Sequence, residues 1–255
     1  MRRYQRKAKI IPGRYIKHWL YRIQHYAAFA AALPGRCAEY LFGRITYPKS
    51  PMYKGADYKR FSMEHGRYGE FQVWRKARKA LCGDCRWLCN LYLPKKDGTT
   101  CEVDLVAISS RGIFVFESKN YSGTIYGQED KPYWYQMVRR DLRSLPKKSS
   151  FFNPIMQNGM HARVLASIIS EKKDYIHPIV VFGNRCRLKR VVWNKEKTVV
   201  TKCRHLGRYI RRYKKNALTK NEIETAYKCL LPYTEVGYWD RVRHIKNIQD
   251  KQSKF

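Results

Sequence analysis

Three charged side chains stand at the end of an apolar stretch that predicts a hairpin. Asp104, Glu117 and Lys119 belong to residues 101–120, CEVDLVAISSRGIFVFESKN, whose runs of β-branched and aromatic residues are typical of two strands joined by a turn. Both faces of this hairpin are apolar, which predicts a central position in a sheet covered on two sides. Because buried charge without a partner is costly, the placement of the three groups calls for a chemical reason.

The length of the turn decides whether the two carboxylates meet. Side chains alternate along a strand, so Glu117 and Lys119 share a face. A connecting loop of two or four residues puts Asp104 opposite Glu117, whereas a three-residue loop with Gly112 in a bulge puts Asp104 opposite Ser118. Hairpin chemistry allows both registers, and the common chemistry of the three charged groups favours the first.

Neighbouring carboxylates at this position would form a cation site. At a separation of about 5 Å they repel each other unless a proton or a cation lies between them. Carboxylate oxygens suit Mg²⁺, with Mn²⁺ as an alternative, and Mg²⁺ commonly contacts a substrate phosphate as well. A lysine beside such an ion can orient or deprotonate an attacking water, or neutralise charge on the phosphate. An ordinary ion pair at a sheet end is the competing interpretation.

The order of these residues resembles a known nuclease core. An Asp followed by Glu-x-Lys on the next strand resembles the PD-(D/E)xK pattern, although Val103 stands where the pattern has proline. A longer set of matching segments, in the same order, resembles the nuclease-related domain family, NERD, over residues 64–185. The segments are Gly69-Glu70, CEVD at 101–104, GIFVFESKN at 112–120, Gly123, Trp134 and NPIMQN at 153–158.

The resemblance implies an α/β restriction-endonuclease-like core, with a central mixed sheet flanked by helices. It also implies that Asp104 and Glu117 hold the metal ion, with the Ser118 carbonyl as a further ligand. Lys119 would position the water and stabilise the transition state. Glu70 would be the family's helical carboxylate, which adds a ligand or orients a metal-bound water.

Two residues of this set fall on predicted helices. Glu70 shares a helical face with Trp74, so it points inward, although a glutamate near a helix start is also favoured by the helix dipole. Asn153-Pro154 predicts the start of another helix, with asparagine as the N-cap. Gln157 lies one turn further on, where it could contact the scissile phosphate or the water, or serve only the first helical turn.

The net charge of +33 is the dominant feature of the composition. A chain so basic indicates a polyanionic partner, and we expect nucleic acid, DNA rather than RNA. Residues 1–63 contain fourteen Lys and Arg against Glu39 and Asp57, and residues 19–33 predict a helix within them. That helix could also bind an anionic membrane surface. Its apolar part, residues 26–33, is too short for a transmembrane segment.

Eight cysteines do not form an evident disulfide framework. Cys82, Cys85 and Cys89 have the spacing of a partial zinc or iron–sulfur site, which Cys101 would approach if its strand paired with that of Cys89. A fourth ligand is not evident, so reduced thiols of a cytoplasmic protein are favoured.

The sequence thus predicts three parts. They are a basic N-terminal extension at 1–63, a nuclease-like core at 64–185, and a C-terminal helical extension at 186–255 packed on the core. Together they predict a metal-dependent nuclease that hydrolyses phosphodiester bonds, with DNA as the expected substrate. The alternative is a non-catalytic nucleic-acid-binding protein that retains the fold.

Overall fold

The computed structural model describes residues 35–53, 55, 57–81, 83, 85–139, 145–169, 174–214 and 216–234. The chain divides into two units, Met1–Lys49 and Ser50–Phe255. The described part of the first unit is helix α1, Gly35–Thr46, followed by a 3₁₀ turn at Tyr47–Lys49. The helix predicted at 19–33 lies outside the described residues, as does Cys82.

The second unit combines five helices with nine strands among the described residues. The helices are α2 (Tyr58–Met63), α3 (His65–Ala80), α4 (Pro154–Ile168), α5 (Leu206–Ile210) and α6 (Lys220–Leu230). The strands are β1 (Cys85–Pro94), β2 (Thr100–Ser109), β3 (Gly112–Lys119), β4 (Gly123–Gln128), β5 (Tyr133–Val138), β6 (Lys147–Phe152), β7 (Ile176–Phe182), β8 (Cys186–Val192) and β9 (Val199–Lys202). None of the described helices is both long and apolar enough to cross a membrane.

The strands form two sheets. The central sheet has the order β1-β2-β3-β7-β9, in which β1, β2 and β3 are antiparallel neighbours while β7 runs parallel to both β3 and β9. It is therefore a mixed sheet with the predicted hairpin at its centre. The second sheet has the order β6-β5-β4-β8. Strand β4 starts only a few residues after β3 ends, so the chain passes from one sheet to the other close to Lys119.

The hairpin has the register that brings the carboxylates together. Ile108 pairs with Ile113 and Ser109 with Gly112, which leaves a two-residue connection and confirms the even-loop prediction. Gly112 has φ of +118°, and a Cβ there would lie 2.7 Å from the carbonyl oxygen of Tyr175. Backbone conformation and close packing therefore both require glycine at this turn.

Helices cover both faces of the hairpin. On one face, Val106 and Val115 belong to a fully buried cluster that includes Leu165 of α4 and Leu230 of α6. The opposite face contributes the buried pair Phe114 and Phe116, which stack on each other. Burial on both faces explains why the strands alternate so little between apolar and polar residues.

Several strands of the second sheet carry no clear pattern in the sequence. Residues 131–148, whose structure the sequence left open, contain β5 and the start of β6. Strand β8 has the sequence CRLKRVV, and β8 and β9 both lie beyond residue 185, where helices were the expected elements. Exposed basic side chains interrupt the alternation in β8, so hydrophobic periodicity gives no strand signal there. The helix predicted from its capping box forms as α6, with Thr219 and Glu222 in reciprocal hydrogen bonds.

Helix α3 begins earlier than its glycines suggest. The sequence predicts that Gly66 and Gly69 precede the helix, but both lie inside it. A Cβ on Gly69 would come within 2.6 Å of the Cβ of Asn120, so this glycine lets the helix approach the end of β3. Close packing outweighs the low helix propensity of glycine here.

Candidate active site

The end of the β2–β3 hairpin places the predicted carboxylates on one face of the central sheet. Val106 and Val115 are paired residues of the cluster under helix α4. Asp104 stands two residues before Val106, and Glu117 stands two residues after Val115. The period of two therefore puts both carboxylates on the same face as this cluster. Beyond the apolar pairs, the same face of the sheet carries a small charged cluster.

Asp104 is held by the backbone of the neighbouring strand. Its Oδ2 accepts a hydrogen bond of 3.0 Å from the backbone N–H of Ser118. Burial, followed by the charges of Glu117 and Glu70, raises the pKa of Asp104 well above its usual range, although the Ser118 hydrogen bond and the Lys119 charge oppose that rise. Ionised Asp104 is therefore costly unless further positive charge is present.

Glu117 and Lys119 form a buried ion pair. The Nζ of Lys119 lies 2.7 Å from Oε1 of Glu117, and their side chains are 18% and 1% exposed. Burial raises the pKa of Glu117 despite the Lys119 charge. Burial alone would lower the pKa of Lys119, but the carboxylates of Glu117 and Asp104 outweigh it and raise this pKa. Lys119 is consequently an ammonium at neutral pH.

Helix α4 brings Gln157 to the same lysine. The Asn153 side chain accepts hydrogen bonds from the backbone N–H groups of Ile155 and Met156, which confirms the predicted N-cap and starts the helix beside β3. One turn later, Oε1 of Gln157 accepts a hydrogen bond of 3.1 Å from Nζ of Lys119. The ammonium thus links a strand carboxylate to a helix amide.

Two further residues of α4 contact the hairpin and were not assigned to the site from the sequence. Nδ1 of His161 lies 3.4 Å from Oε2 of Glu117, and both residues are almost fully buried. Nδ2 of buried Asn158 donates a 3.0 Å hydrogen bond to the Val115 carbonyl. The four-residue spacing from Gln157 to His161 could have indicated a shared face, but an inward asparagine has no such signal.

Glu70 lies on the other covering helix, α3. Its helical neighbours Trp74 and Ala77 are buried, as predicted for the inward face. Burial, then the charge of Glu102 and, more weakly, that of Glu117, raises the pKa of Glu70 from 4.5 to about 7, against the opposing charge of Arg67. Glu70 also raises the pKa of Asp104, so the helical carboxylate and the hairpin carboxylates act on one another.

Glu102 is a fourth carboxylate that sequence reasoning passed over. It stands two residues before Asp104 on β2 and therefore faces the same side of the sheet. The hydroxyl of Tyr92 donates a 3.0 Å hydrogen bond to it. Its charge raises the pKa of Glu70 and of Glu117. The spacing Glu-x-Asp was the available signal.

The cysteines that could extend a metal cluster are separated along the sheet. Cys85 and Cys89 on β1 pair with Ser109 and Leu105, while Cys101 pairs with Leu93. The three thiols are not in disulfides. Burial raises the pKa of Cys85 to about 12, so this thiol is not a ready metal ligand. Within the described part of the chain, no group of three or more His, Cys, Asp or Glu side chains is arranged to hold a metal ion.

A magnesium ion needs fewer than three protein side chains as ligands. Mg²⁺ is usually bound through one or two carboxylates and completes its shell with waters and phosphate oxygens. Oε2 of Glu117 is buried and accepts no hydrogen bond from the described residues. The charge of Glu117 raises the cost of ionising Asp104, which a divalent cation would relieve. The donors present therefore fit a hard divalent cation.

The fold and this charged cluster place the chain in a recognisable class. A central mixed sheet flanked by helices, with Asp104 and Glu-x-Lys at the end of its central hairpin, is a restriction-endonuclease-like α/β core.

Comparison with known proteins agrees. Residues 65–183 match the nuclease-related domain, NERD. An uncharacterized protein of Bacillus anthracis is 33% identical over 190 residues, which cover 74% of this chain and 86% of that protein. The chain belongs to the NERD family. No solved structure gives a significant match to it.

Proposed function

We propose that this protein is a metal-dependent nuclease that hydrolyses phosphodiester bonds of DNA. The observation that carries the proposal is the contact set of Lys119, whose ammonium lies 2.7 Å from Glu117 and 3.1 Å from Gln157, beside Asp104. An ion pair that served stability alone would not need a second carboxylate next to it, whose pKa burial and neighbouring negative charges raise. The nuclease-related family supports this reading.

The carboxylates of Asp104 and Glu117 are the proposed ligands for Mg²⁺, with Mn²⁺ as a substitute. Glu70 and the carbonyl of Ser118 complete the proposed protein ligands. When bound, the ion would polarise the scissile phosphate and offset the negative charge gathered here. The hydrogen bond from the Ser118 N–H holds Asp104 against the end of β3, so the two hairpin carboxylates are positioned before any ligand arrives.

Lys119 acts in this proposal as a fixed positive charge. The carboxylates of Glu117 and Asp104 raise its pKa, so Lys119 carries a proton at neutral pH in the metal-free protein. It donates hydrogen bonds that orient the attacking water, and it stabilises negative charge that develops on the phosphate oxygens. Because Glu117 and Gln157 both hold the ammonium, little reorganisation is needed when that charge appears.

Gln157 has a positioning role and a binding role. Its Oε1 accepts the hydrogen bond from Lys119, which leaves its amide N–H groups able to donate to a phosphate oxygen. It lies one turn from the N-terminal end of α4, which is the end of a helix that favours anions. A phosphate approaching the hairpin would therefore meet Lys119 and Gln157 together.

Substrate binding outside the site rests on charge. A net charge of +33 is suited to a polyanion, and affinity would come mainly from contacts with phosphates. DNA is the proposed substrate, and the N-terminal extension is a further proposed contact with nucleic acid or with an anionic membrane surface.

The test is a nicking time course on supercoiled plasmid, run in parallel with a labelled RNA, in Mg²⁺, in Mn²⁺ and in EDTA. We expect cleavage of DNA in either metal and none in EDTA. Asp104→Asn should lose cleavage by weakening metal binding, and high Mg²⁺ should recover part of it. Asp174→Asn, at an exposed aspartate before β7, is the matched control and should cleave like the wild type.

The same protein samples distinguish the nuclease from the alternative function. A non-catalytic nucleic-acid-binding protein would shift DNA on a gel in EDTA and leave plasmid and RNA intact in every metal. That outcome would overturn the nuclease proposal. Cleavage that Asp104→Asn leaves unchanged would place the chemistry elsewhere in the chain.

A further inference from the structure

The second sheet has one buried face and one solvent face of opposite character. Ile125, Trp134 and Cys186 point inward and are buried in a cluster with Phe182 of the central sheet. The residues that alternate with these along each strand must then point outward. The outward positions are Thr124, Tyr126 and Gln128 on β4, Tyr133, Tyr135 and Met137 on β5, Lys148, Ser150 and Phe152 on β6, and Arg187 and Val192 on β8. We call this set the outer face.

Aromatic rings occupy the middle of the outer face. Tyr126 and Tyr135 are cross-strand partners whose ring centroids lie 5.1 Å apart at an interplanar angle of 13°. Tyr133 and Phe152 are also cross-strand partners, on β5 and β6, but their rings meet edge to face, with centroids 6.2 Å apart and an interplanar angle of 81°. Four adjacent rings on solvent-facing positions are unusual for a monomeric surface and indicate an interaction site.

Positive charge borders these rings. The Nζ of exposed Lys148 lies 4.5 Å from the ring centroid of Tyr135. Arg187 stands opposite Thr124 on the same side of the sheet, and Lys189 and Arg190, at the register shift of β8, are also exposed. The outward positions of these four strands contain no Asp or Glu. Glu129 and Asp130 follow in the turn after β4, at the end of that strand opposite to Arg187.

From this arrangement we infer that the outer face binds an unpaired DNA strand. Bases can stack on exposed aromatic rings, and bordering Lys and Arg side chains can hold the phosphates that join the bases. The charge complements a polyanion, which argues against a second copy of this basic chain as the occupant. Duplex DNA keeps its bases stacked inside the helix, so its bases cannot lie on the rings.

The outer face also lies close to the candidate active site. Strand β4 begins at Gly123, four residues after Lys119, a distance of at most about 14 Å for an extended chain. A strand held on the outer face could therefore continue towards Lys119. The inference relies on the proposed function only in taking DNA as the ligand, and its test does not require cleavage.

The experiment measures the affinity of the wild type and of variants for a fluorescent oligo-dT by anisotropy in EDTA. Tyr126→Ala and Tyr135→Ala should each weaken binding by about 5- to 150-fold, the range found when one stacked base is lost. Tyr175→Ala is the matched control, because Tyr175 is 38% exposed against 37% for Tyr135 but lies next to the β2–β3 turn. It should bind as the wild type does.

Three comparisons decide the result. Unchanged affinity of both tyrosine variants for oligo-dT would overturn the inference, as would an equal loss of affinity for a blunt duplex. Tighter binding of oligo-rU would replace DNA with RNA as the ligand. If either alanine variant fails to fold, the wild-type protein can be crosslinked instead to an oligonucleotide that contains 5-iododeoxyuridine. Crosslinks should map to aromatic residues of the outer face. Crosslinks confined to other regions would contradict the inference.

The two proposals can fail separately. The outer-face inference alone would be refuted if plasmid cleavage depends on metal while both tyrosine variants bind oligo-dT as the wild type does. The nuclease proposal alone would be refuted if those variants lose oligo-dT binding while the wild type cleaves nothing in any metal.

Discussion

Removing the charge of Glu70 should stabilise the metal-free protein at alkaline pH. Burial and the neighbouring carboxylates raise the pKa of Glu70 from 4.5 to about 7. Between these values the unfolded chain releases a proton that the folded protein retains. Stability from this group is therefore fully present below pH 4.5, declines as the pH rises and is lost above about pH 7. Glu70→Gln cannot ionise and should escape this loss.

The magnitude follows from the same pKa. Each pKa unit corresponds to about 1.4 kcal/mol, so a rise from 4.5 to about 7 amounts to about 3 kcal/mol. Glu70→Gln should accordingly unfold at higher denaturant concentration than the wild type at pH 8, by up to that free energy, and at nearly the same concentration at pH 4.5. The charge of Glu70 also raises the pKa of Asp104, so part of the gain will come from relief at that residue.

Urea denaturation in EDTA across pH 4.5–8.5, followed by tryptophan fluorescence, measures the effect. Glu196→Gln, at an exposed glutamate in the turn between β8 and β9, is the control and should track the wild type. If the site holds Mg²⁺, millimolar Mg²⁺ should raise wild-type stability at pH 8 more than that of Glu70→Gln. Parallel pH profiles for the wild type and Glu70→Gln would refute the account of a strained carboxylate cluster.

Three further predictions concern Lys119, the packing of helix α3 and the charge of the chain. Lys119→Met should lower stability by about 3 kcal/mol, because it leaves Glu117 buried without its cation. It should also slow plasmid nicking about 100-fold or more, and high Mg²⁺ should not restore the rate. Recovery at high Mg²⁺ would mean that the lysine only assists metal binding. Gly69→Ala should lower the melting temperature, at a cost of about 1–3 kcal/mol, because its Cβ meets Asn120, whereas Gly66→Ala, with nothing within 4 Å, should raise it; equal shifts would contradict the packing argument. Affinity for DNA in EDTA should fall steeply with salt, which a titration by anisotropy checks, and a flat response would argue against phosphate contacts.

Local rules were sufficient for the hairpin and for the starts of helices α4 and α6. Alternation along β2 and β3, together with the choice of an even turn, placed Asp104 and Glu117 on one face, because side-chain direction in a strand depends on position alone. Asn153-Pro154 marked the start of α4 because capping is a contact between near neighbours in the chain. The basic composition indicated a polyanionic partner in the same direct way.

The tertiary structure decided how those elements meet. Lys119 and Gln157 are far apart in the sequence, and their hydrogen bond depends on how α4 packs across the hairpin. The same packing turns His161 towards Glu117. Strand β8 forms by pairing with β4 although its own residues carry no alternating pattern. Sequence periodicity reports which side of an element is buried, but the partner that buries it is chosen by contacts between distant segments, and the charged cluster and the outer face both arise from such contacts.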